Sequence, residues 1–207
     1  MTEVVIALER EYHTRDKAEW GDGPWLSEPD KAQWTDPATG LPCLAVRGQS
    51  GALCGYVGVT EGHPFFGVGY DADATLPVNH RCDEPYCRPS PEHVLDVHGG
   101  VTFSEACDDG AEDRAICHTP KPGESDHVWW IGFDCAHFYD FSPDYDRWVE
   151  TYMGRLPGSR IGRTYRDLAY VQNECAQLAA QLVAVASPAR LIEEHLENTP
   201  AQEEPRQ

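Results

Sequence analysis

The fold is decided by residues 41–60, LPCLAVRGQSGALCGYVGVT, in which two apolar runs flank a turn. Residues 41–46 and 53–60 are rich in apolar and β-branched side chains, and each run has the length of a strand. The residues between the two runs are ones that favour tight turns: Gly48, Gln49, Ser50 and Gly51. The stretch therefore predicts a β-hairpin.

Further strands and loops are predicted on both sides of this hairpin. The additional strand candidates are residues 4–8, 93–103 and 127–133. Residues 20–40 lack both strand and helix periodicity and are rich in Gly, Pro, Asp and Trp, so they predict an ordered loop. Residues 71–92 are dominated by Pro, Asp, Asn and Cys and are long enough to predict an insertion or a functional loop. The first loop contains Trp20, Trp25 and Trp34, which we expect to cover the core or to line a groove, because three indoles are costly to leave in water.

One long helix is predicted over residues 165–186. Apolar side chains recur there at three- and four-residue intervals and would share one face: Leu168, Val171, Cys175, Leu178, Leu182 and Val185. Thr164 and Asp167 supply a helix-start signal. The combination predicts an α+β fold with a mixed or antiparallel sheet, one long C-terminal amphipathic helix and long ordered loops.

The length of 207 residues predicts a single α+β domain over residues 1–187. Residues 188–207 are polar, acidic and proline-bearing, which predicts a flexible C-terminal tail.

The formal charge of −19 argues against a nucleic-acid partner, because phosphate binding draws most of its affinity from Lys and Arg. Five arginines between positions 147 and 166 form the one basic stretch, and we expect them to lie on a solvated surface. No run approaches the roughly 20 apolar residues that cross a bilayer, and the N-terminal residues turn charged too early for a signal peptide. The sequence therefore predicts a cytoplasmic protein without a membrane partner.

Eight cysteines in a chain without an export signal predict free thiols, metal ligands or a reactive thiolate rather than disulfides. Cys82, Cys87, Cys107 and Cys117, followed by His118, can form a tetrahedral structural zinc site that ties the long loops down. Their spacing is irregular, and separate buried thiols fit it equally well.

Two motifs carry the residues that are candidates for catalysis. In the first, His98 precedes Gly99 and Gly100, and two glycines allow a ligand or another backbone to come close, although a structural bulge would explain them as well. The second follows the apolar run 128–131 and concentrates four polar side chains within seven residues: Asp134, Cys135, His137 and Asp140. Buried polar groups need partners, so such a concentration is typical of functional sites. His63, in a turn at a strand end, is a second-rank candidate.

Two mechanisms fit these residues. In the first, Cys135 is a nucleophile, His98 is its base, and Asp134 or Asp140 orients an imidazole. In the second, four side chains bind a divalent cation that activates a water molecule: His98, Asp134, His137 and Asp140. The structural alternative is that Asp134 and Asp140 cap backbone amides and that His137 makes a hydrogen bond inside the core.

The two motifs also carry two resemblances. A His-x-Gly-Val segment upstream of an Asp-Cys-x-His segment resembles the circularly permuted branch of the NlpC/P60 papain-like superfamily, which implies His98 and Cys135 as the matching residues, with Asp134 in place of the usual asparagine. Over most of the chain, the HGGVTF and WWIGFDCAH segments resemble an uncharacterised family of bacteriophage and bacterial proteins. That second resemblance implies a phage-type accessory protein and assigns no activity.

The residues together predict a small hydrolase-type enzyme acting on a small-molecule or protein partner, with zinc as the candidate cofactor. The alternative is a non-catalytic acidic phage protein that binds a host protein or mimics nucleic acid, since its negative charge suits a basic partner.

Overall fold

The computed structural model describes residues 6–76, 88–108, 110–154 and 162–187. Its strands are β1 (Arg10–Tyr12), β2 (Lys31–Thr35), β3 (Pro42–Arg47), β4 (Leu53–Val59), β5 (Phe103–Ala106) and β6 (Trp129–Asp134). Its helices are α1 (Pro91–Val94), α2 (Pro143–Met153) and α3 (Leu168–Ala186), with a 3-10 turn at Pro24–Leu26. The expected α+β class is confirmed.

The six strands form one antiparallel sheet in the order β1-β2-β3-β4-β6-β5. The predicted hairpin is confirmed as β3 and β4, which pair with Cys43 opposite Val57. The strand predicted over residues 127–133 is also confirmed, as β6 beside β4. This pairing sets Asp134, the last residue of β6, opposite Cys54 and leaves the polar motif at the end of a buried strand.

Helix α3 covers one face of the sheet. Its predicted apolar face is buried in the main core, with Val171, Cys175, Leu178 and Leu182 all inaccessible to solvent. The helix begins later than expected, because Asp167 rather than Thr164 caps it by accepting a hydrogen bond from the Tyr170 amide. Close packing of α3 needs Gly55, where an added Cβ would lie 2.9 Å from the Cys175 Sγ.

The opposite face of the sheet carries a second, smaller core. It is formed by buried side chains of β3, β4 and β6 and of the residue before β6: Leu44, Val46, Tyr56, Trp130 and Val128. Cys107 and Ile116, from the chain that connects β5 to β6, pack against this cluster. The two faces are thus covered by different segments, α3 on one side and the β5–β6 connection on the other.

Two of the predicted boundaries are wrong. Residues 93–102 form the end of α1 and a loop, and of the predicted strand only Phe103 lies in β5. Gly99 and Gly100 adopt φ angles of 68° and 90°, which an extended strand does not contain. The loop predicted over residues 20–40 contains β2, whose Trp34 is buried in the main core. Trp20 and Trp25 are buried in a separate cluster with Phe141, so all three indoles do cover apolar interior.

At the N-terminus, part of the strand predicted over residues 4–8 lies outside the described residues, and residues 6–8 are not in a strand. The predicted tail, 188–207, also lies outside them, and the domain boundary at residue 187 stays a prediction. Within the described ranges, no helix is long and apolar enough to cross a membrane.

Candidate functional site

The two polar motifs meet in space. His98 lies in the loop that precedes β5, where its Nδ1 is 2.9 Å from the Tyr170 hydroxyl of α3, and His137 and Asp140 lie in the chain that follows β6. The imidazole rings of His98 and His137 are 5.5 Å apart between centroids, edge to face. We call His98, His137 and Asp140 the His98 cluster.

Asp140 is the centre of this cluster and its carboxylate is fully buried. Its Oδ2 atom lies 2.8 Å from the His98 Nε2 and accepts a hydrogen bond from the His137 amide at 3.0 Å. Its Oδ1 atom accepts a hydrogen bond from the Arg166 Nε at 2.9 Å. Burial works to raise the pKa of Asp140, but the bonds from His98, Arg166 and His137 together hold that pKa below its ordinary value. Asp140 is therefore held as an anion, the form in which a carboxylate binds a cation.

His98 is fixed from three directions. Its Nδ1 lies 2.9 Å from the Tyr170 hydroxyl, and its backbone amide donates to the Glu174 Oε2 at 3.0 Å. Tyr170 and Glu174 are one turn apart on α3, so this helix holds both the ring and the backbone of His98. The third contact, to Asp140, completes the orientation of the imidazole.

His137 owes its position to Gly99. A Cβ built on Gly99 would lie 2.0 Å from the Cε1 atom of His137, so the imidazole occupies the space that a side chain would fill. The first motif therefore does admit a close approach, as its glycines predict, and the group that approaches is the ring of His137.

One nitrogen of that ring lacks a partner. Among the described residues, the Nδ1 of His137 is buried without a hydrogen bond. Its closest acidic neighbours are the Asp140 Oδ2 at 3.5 Å and the Asp134 Oδ1 at 3.8 Å. A lone pair held between two carboxylates is repelled by both, so this nitrogen needs either a proton or a cation.

Asp134 borders the cluster and is partly exposed. Its Oδ1 accepts a hydrogen bond from the Ala136 amide at 2.9 Å, and its Oδ2 accepts one from the Thr102 hydroxyl at 3.2 Å. Both Asp134 and Asp140 thus bond backbone amides, as the structural alternative expects. That alternative does not account for His137, whose Nδ1 makes no hydrogen bond among the described residues.

Cys135 does not share the exposure that a nucleophile requires. Its side chain belongs to the main core and is 1% exposed. Burial, followed by the charge of Asp140, raises the pKa of the thiol far above its ordinary value. The geometry thus argues against the thiolate mechanism and leaves the cation mechanism as the better fit.

His63 lies elsewhere. Its Nε2 is 3.0 Å from the Leu182 carbonyl oxygen, and its Nδ1 accepts a hydrogen bond from the Phe65 amide at 3.1 Å. Leu182 is twelve residues beyond Tyr170 on α3, a distance of about 18 Å along the axis. The expectation that His63 belongs to the site is therefore corrected: it joins the turn after β4 to the C-terminal half of α3.

The His98 cluster has the dimensions of a coordination shell. One ligand atom from each of its three residues lies within 4.8 Å of the other two. Ligand atoms about 2.1 Å from a tetrahedral zinc ion would be about 3.4 Å apart. The observed separations of 2.8 Å between His98 and Asp140 and 3.5 Å between His137 and Asp140 bracket that value. Two imidazoles and a carboxylate suit a divalent cation.

Three residues of the surrounding shell were not predicted from sequence: Arg166, Tyr170 and Glu174. Arg166 was assigned to a solvated surface, whereas it pairs with the buried Asp140 and lies 4.7 Å over the Tyr170 ring. Arg163 likewise bonds Asp146 and the Asp140 carbonyl oxygen. The four-residue spacing of Tyr170 and Glu174 was the available signal for those two, because on α3 it places their side chains in one row. Arg166 precedes the helix cap Asp167, and the helical spacing does not extend to it.

The cysteines differ from expectation in part. Cys107 and Cys117 form a disulfide, which corrects the expectation of free thiols for this pair. Cys82 and Cys87, the other two predicted zinc ligands, lie outside the described residues. His118 lies beside the disulfide, and its ring nitrogen is within 4.8 Å of both sulfur atoms. Cys43, Cys54, Cys135 and Cys175 are free thiols.

No protein-family model, curated protein or solved structure matches the chain. The two resemblances noted above therefore stay predictions, and the site is interpreted from its own geometry.

Proposed function

We propose that the chain is a small hydrolase whose His98, His137 and Asp140 bind one divalent cation, with Zn²⁺ as the ion that their nitrogen and oxygen ligands suit best. A cation held by three protein side chains keeps at least one position for water, lowers the pKa of that water and so supplies a nucleophile at neutral pH.

The observation that carries this proposal is the buried, unpartnered Nδ1 of His137. An unmade hydrogen bond on a buried polar atom costs about 1–3 kcal/mol, so folded proteins retain few of them. Here the atom faces two carboxylate oxygens, at 3.5 and 3.8 Å. A cation at this position would contact the imidazole nitrogen and both carboxylates at once.

The rest of the shell supports the same role. Tyr170 holds the far nitrogen of His98, which is how metal-bound imidazoles are usually oriented. Arg166 donates a hydrogen bond to the Oδ1 atom of Asp140 and leaves the Oδ2 atom facing the two histidines. Asp134 lies on the exposed side, within 3.8 Å of His137, and is placed to accept a proton from a water molecule bound there.

Metal binding is tested on the full-length protein by isothermal titration with Zn²⁺ and Mn²⁺ and by elemental analysis. We expect one equivalent bound at the cluster, with the affinity reduced at least about 100-fold in His137→Ala and Asp140→Asn, since each removes a direct ligand. The matched control is His127→Ala, which removes an exposed histidine whose Nδ1 lies 3.1 Å from Glu61. Equal affinities in all four proteins would refute the metal site.

Hydrolysis is tested separately, with a panel of chromogenic esters, phosphoesters and amides. We expect turnover that depends on added cation and is lost in Asp140→Asn while Cys135→Ala retains it. Activity lost in Cys135→Ala and kept without metal would instead support the thiol mechanism. Metal binding without turnover of any substrate would favour the alternative, a non-catalytic acidic protein that binds a basic partner.

A further inference from the structure

A second cluster of ligand atoms lies on the sheet face opposite α3. Cys107 follows β5 directly, and Cys117 returns ten residues later to form the disulfide. The next residue, His118, places a ring nitrogen within 4.8 Å of both sulfur atoms. We call Cys107, Cys117 and His118 the thiol site.

His118 is the unexplained member of this group. Its side chain is buried, at 7% exposure, with its ring edge-on to Trp130 at 5.6 Å between centroids. Its Nδ1 has no hydrogen-bond partner among the described residues. Burying that atom unpaired costs about 1–3 kcal/mol, and no hydrogen bond to the neighbouring disulfide offsets that cost.

The backbone around these residues is held by contacts that do not involve sulfur. The buried Lys31 ammonium donates to the Cys117 carbonyl oxygen at 2.8 Å. The Gln33 side chain makes a pair of hydrogen bonds with the Thr119 backbone, at 3.0 and 2.9 Å. Cys117 and His118 are therefore positioned from β2, and their geometry does not depend on the disulfide being closed.

The sulfur atom of Cys107 also has a polar contact of its own. The Trp130 Nε1 lies 3.3 Å from the Cys107 Sγ and donates to it. A hydrogen bond that points at sulfur favours the charged thiolate over the neutral thiol. Once reduced, the site would thus offer two sulfur ligands, one of which accepts a hydrogen bond from the Trp130 indole, and one imidazole.

We infer that the thiol site binds a zinc-like, thiophilic divalent cation when its cysteines are reduced, and that the Cys107–Cys117 disulfide closes the site. Two thiolates and an imidazole are ligands that zinc prefers, and three protein ligands leave a fourth position for water. Cation and disulfide exclude each other because both use the same two sulfur atoms. The thiol site is therefore a redox-controlled metal site, separate from the His98 cluster.

A dithiol can reduce the Cys107–Cys117 disulfide by two exchange steps. One thiolate of the dithiol attacks a sulfur atom of the pair, the Cys107–Cys117 bond breaks, and a mixed disulfide forms. The second thiol of the reductant displaces the remaining cysteine, so the dithiol leaves as a disulfide and both cysteines are thiols. Two electrons and two protons have moved to the protein, and cation binding then releases the two protons to solvent.

Cobalt(II) is the probe that separates this site from the His98 cluster. A cobalt ion bound by thiolate shows a sulfur-to-cobalt charge-transfer band in the near ultraviolet, which nitrogen and oxygen ligands cannot produce. The full-length protein is titrated with Co²⁺ twice, once with the disulfide intact and once after reduction by a trialkylphosphine, which competes for the metal less than a dithiol does. We expect the band in the reduced protein alone, at one equivalent, and its replacement on adding Zn²⁺.

The variants assign the ligands. Cys117→Ser should abolish the band, and His118→Gln, which leaves both sulfur atoms and the disulfide in place, should weaken cobalt binding at least about 100-fold. Cys54→Ser, which removes a partly buried free thiol, should leave the band unchanged. His137→Ala should leave it unchanged as well, so a failure of the His98 site does not count against the thiol site.

Three outcomes would overturn the inference. The first is a reduced protein without the band, and the second is a band that persists in Cys117→Ser, since other thiols would then hold the ion. The third is loss of the near-ultraviolet circular dichroism of the reduced, metal-free protein, because the site would then not be held by Lys31 and Gln33.

Discussion

Among the described residues, two of the groups of buried charge differ in whether every polar atom has a partner. The first is the Arg47 network, which joins Arg47 to its acidic, phenolic and basic neighbours: Asp30, Glu28, Tyr165 and Lys17. Each nitrogen of the Arg47 guanidinium makes a hydrogen bond, two of them to more than one acceptor. The second is the His98 cluster, in which the His137 Nδ1 has no partner among the described residues.

The acids at the two centres show the same contrast. Burial works to raise the pKa of Asp30, but the Lys17 ammonium and the amides of Arg15 and Thr14 hold that pKa below its ordinary value. Those bonds use both oxygens of Asp30. Asp140 is held as an anion in the same way, yet one of its oxygens faces the unpaired imidazole. A completed network stabilises the fold, whereas an incomplete one leaves atoms available to a ligand.

The largest expected effect is on the completed network. Arg47→Met removes the central charge and leaves the buried Asp30 and Glu28 short of a partner, so we expect a loss of about 3–5 kcal/mol in the free energy of unfolding, measured by urea denaturation. The matched control is Arg88→Met. Arg88 also pairs through Nε with an aspartate, Asp73, at 2.9 Å, the same distance as Arg47 to Asp30, but both partners are exposed. We expect less than about 1 kcal/mol there, and similar losses in both variants would remove the distinction that burial makes.

The next largest effect is expected from alanine at Gly99 and at Gly100. Comparing the two variants separates the cost of backbone strain from the cost of a clash with the His137 ring. Gly99→Ala and Gly100→Ala both place a side chain at positive φ, at 68° and 90°, for which we expect about 1–2 kcal/mol of destabilisation each. Only the Gly99 variant also meets the His137 ring, since nothing lies within 4 Å of a Cβ on Gly100. Gly99→Ala should therefore be the less stable of the two and should lose cation binding, as titration measures. Binding retained in both variants would show that the ring is not a ligand.

A smaller effect on cation affinity is expected from removing the Tyr170 hydroxyl, which orients the His98 ring. Tyr170→Phe keeps the ring that Arg166 packs on and removes the hydrogen bond to the His98 Nδ1. We expect a 10- to 100-fold loss of cation affinity, about 1.4–2.7 kcal/mol, with little change in the unfolding midpoint. Tyr139→Phe, at an exposed position near the cluster, is the control and should leave the affinity unchanged. A drop in stability without a drop in affinity would assign Tyr170 to packing alone.

The smallest effect concerns His63, a histidine whose two ring nitrogens both have partners. Burial lowers its pKa in the folded protein, so below about pH 6.5 the unfolded chain takes up a proton that the folded chain does not. The contribution of His63 to the free energy of unfolding should be constant above that pH. It should fall as the pH decreases, until the lowered pKa of the folded protein is reached. His63→Gln should flatten this slope in urea titrations from pH 7.5 to 5, and His127→Gln should not. An unchanged slope in His63→Gln would place the pH dependence elsewhere.

Local pattern predicted much of the sheet and the long helix. The residues of β3, β4 and β6 carry a continuous apolar signal because these strands are buried, and α3 repeats its apolar residues at the helical period. The short strands were missed or misplaced. β1 spans three residues and alternates too briefly to be recognised, and β2 is hidden among Gly, Pro and Asp, with Lys31 and Gln33 buried by contacts made 80 residues away.

The candidate site was predicted in outline and not in its supporting shell. His98, Asp134, His137 and Asp140 are found from unusual polar density beside glycines and a buried strand, and they do come together. Cys135 lies in the same motif, but its side chain is buried in the core. The sequence alternation at the end of the strand does not show which way this side chain points. The Cys107–Cys117 disulfide was not predicted because the lack of a recognisable export signal favoured free thiols or metal ligands for the eight cysteines.

The amino-acid sequence by itself determined the α+β class, the hairpin, the amphipathic helix and the two polar motifs, because each depends on residues close to one another in the chain. Only the tertiary structure decided which polar groups are satisfied. Whether a nitrogen of His137 or His118 has a partner depends on side chains that arrive from distant segments, and no local pattern records that. The function proposed for this protein rests on that non-local property.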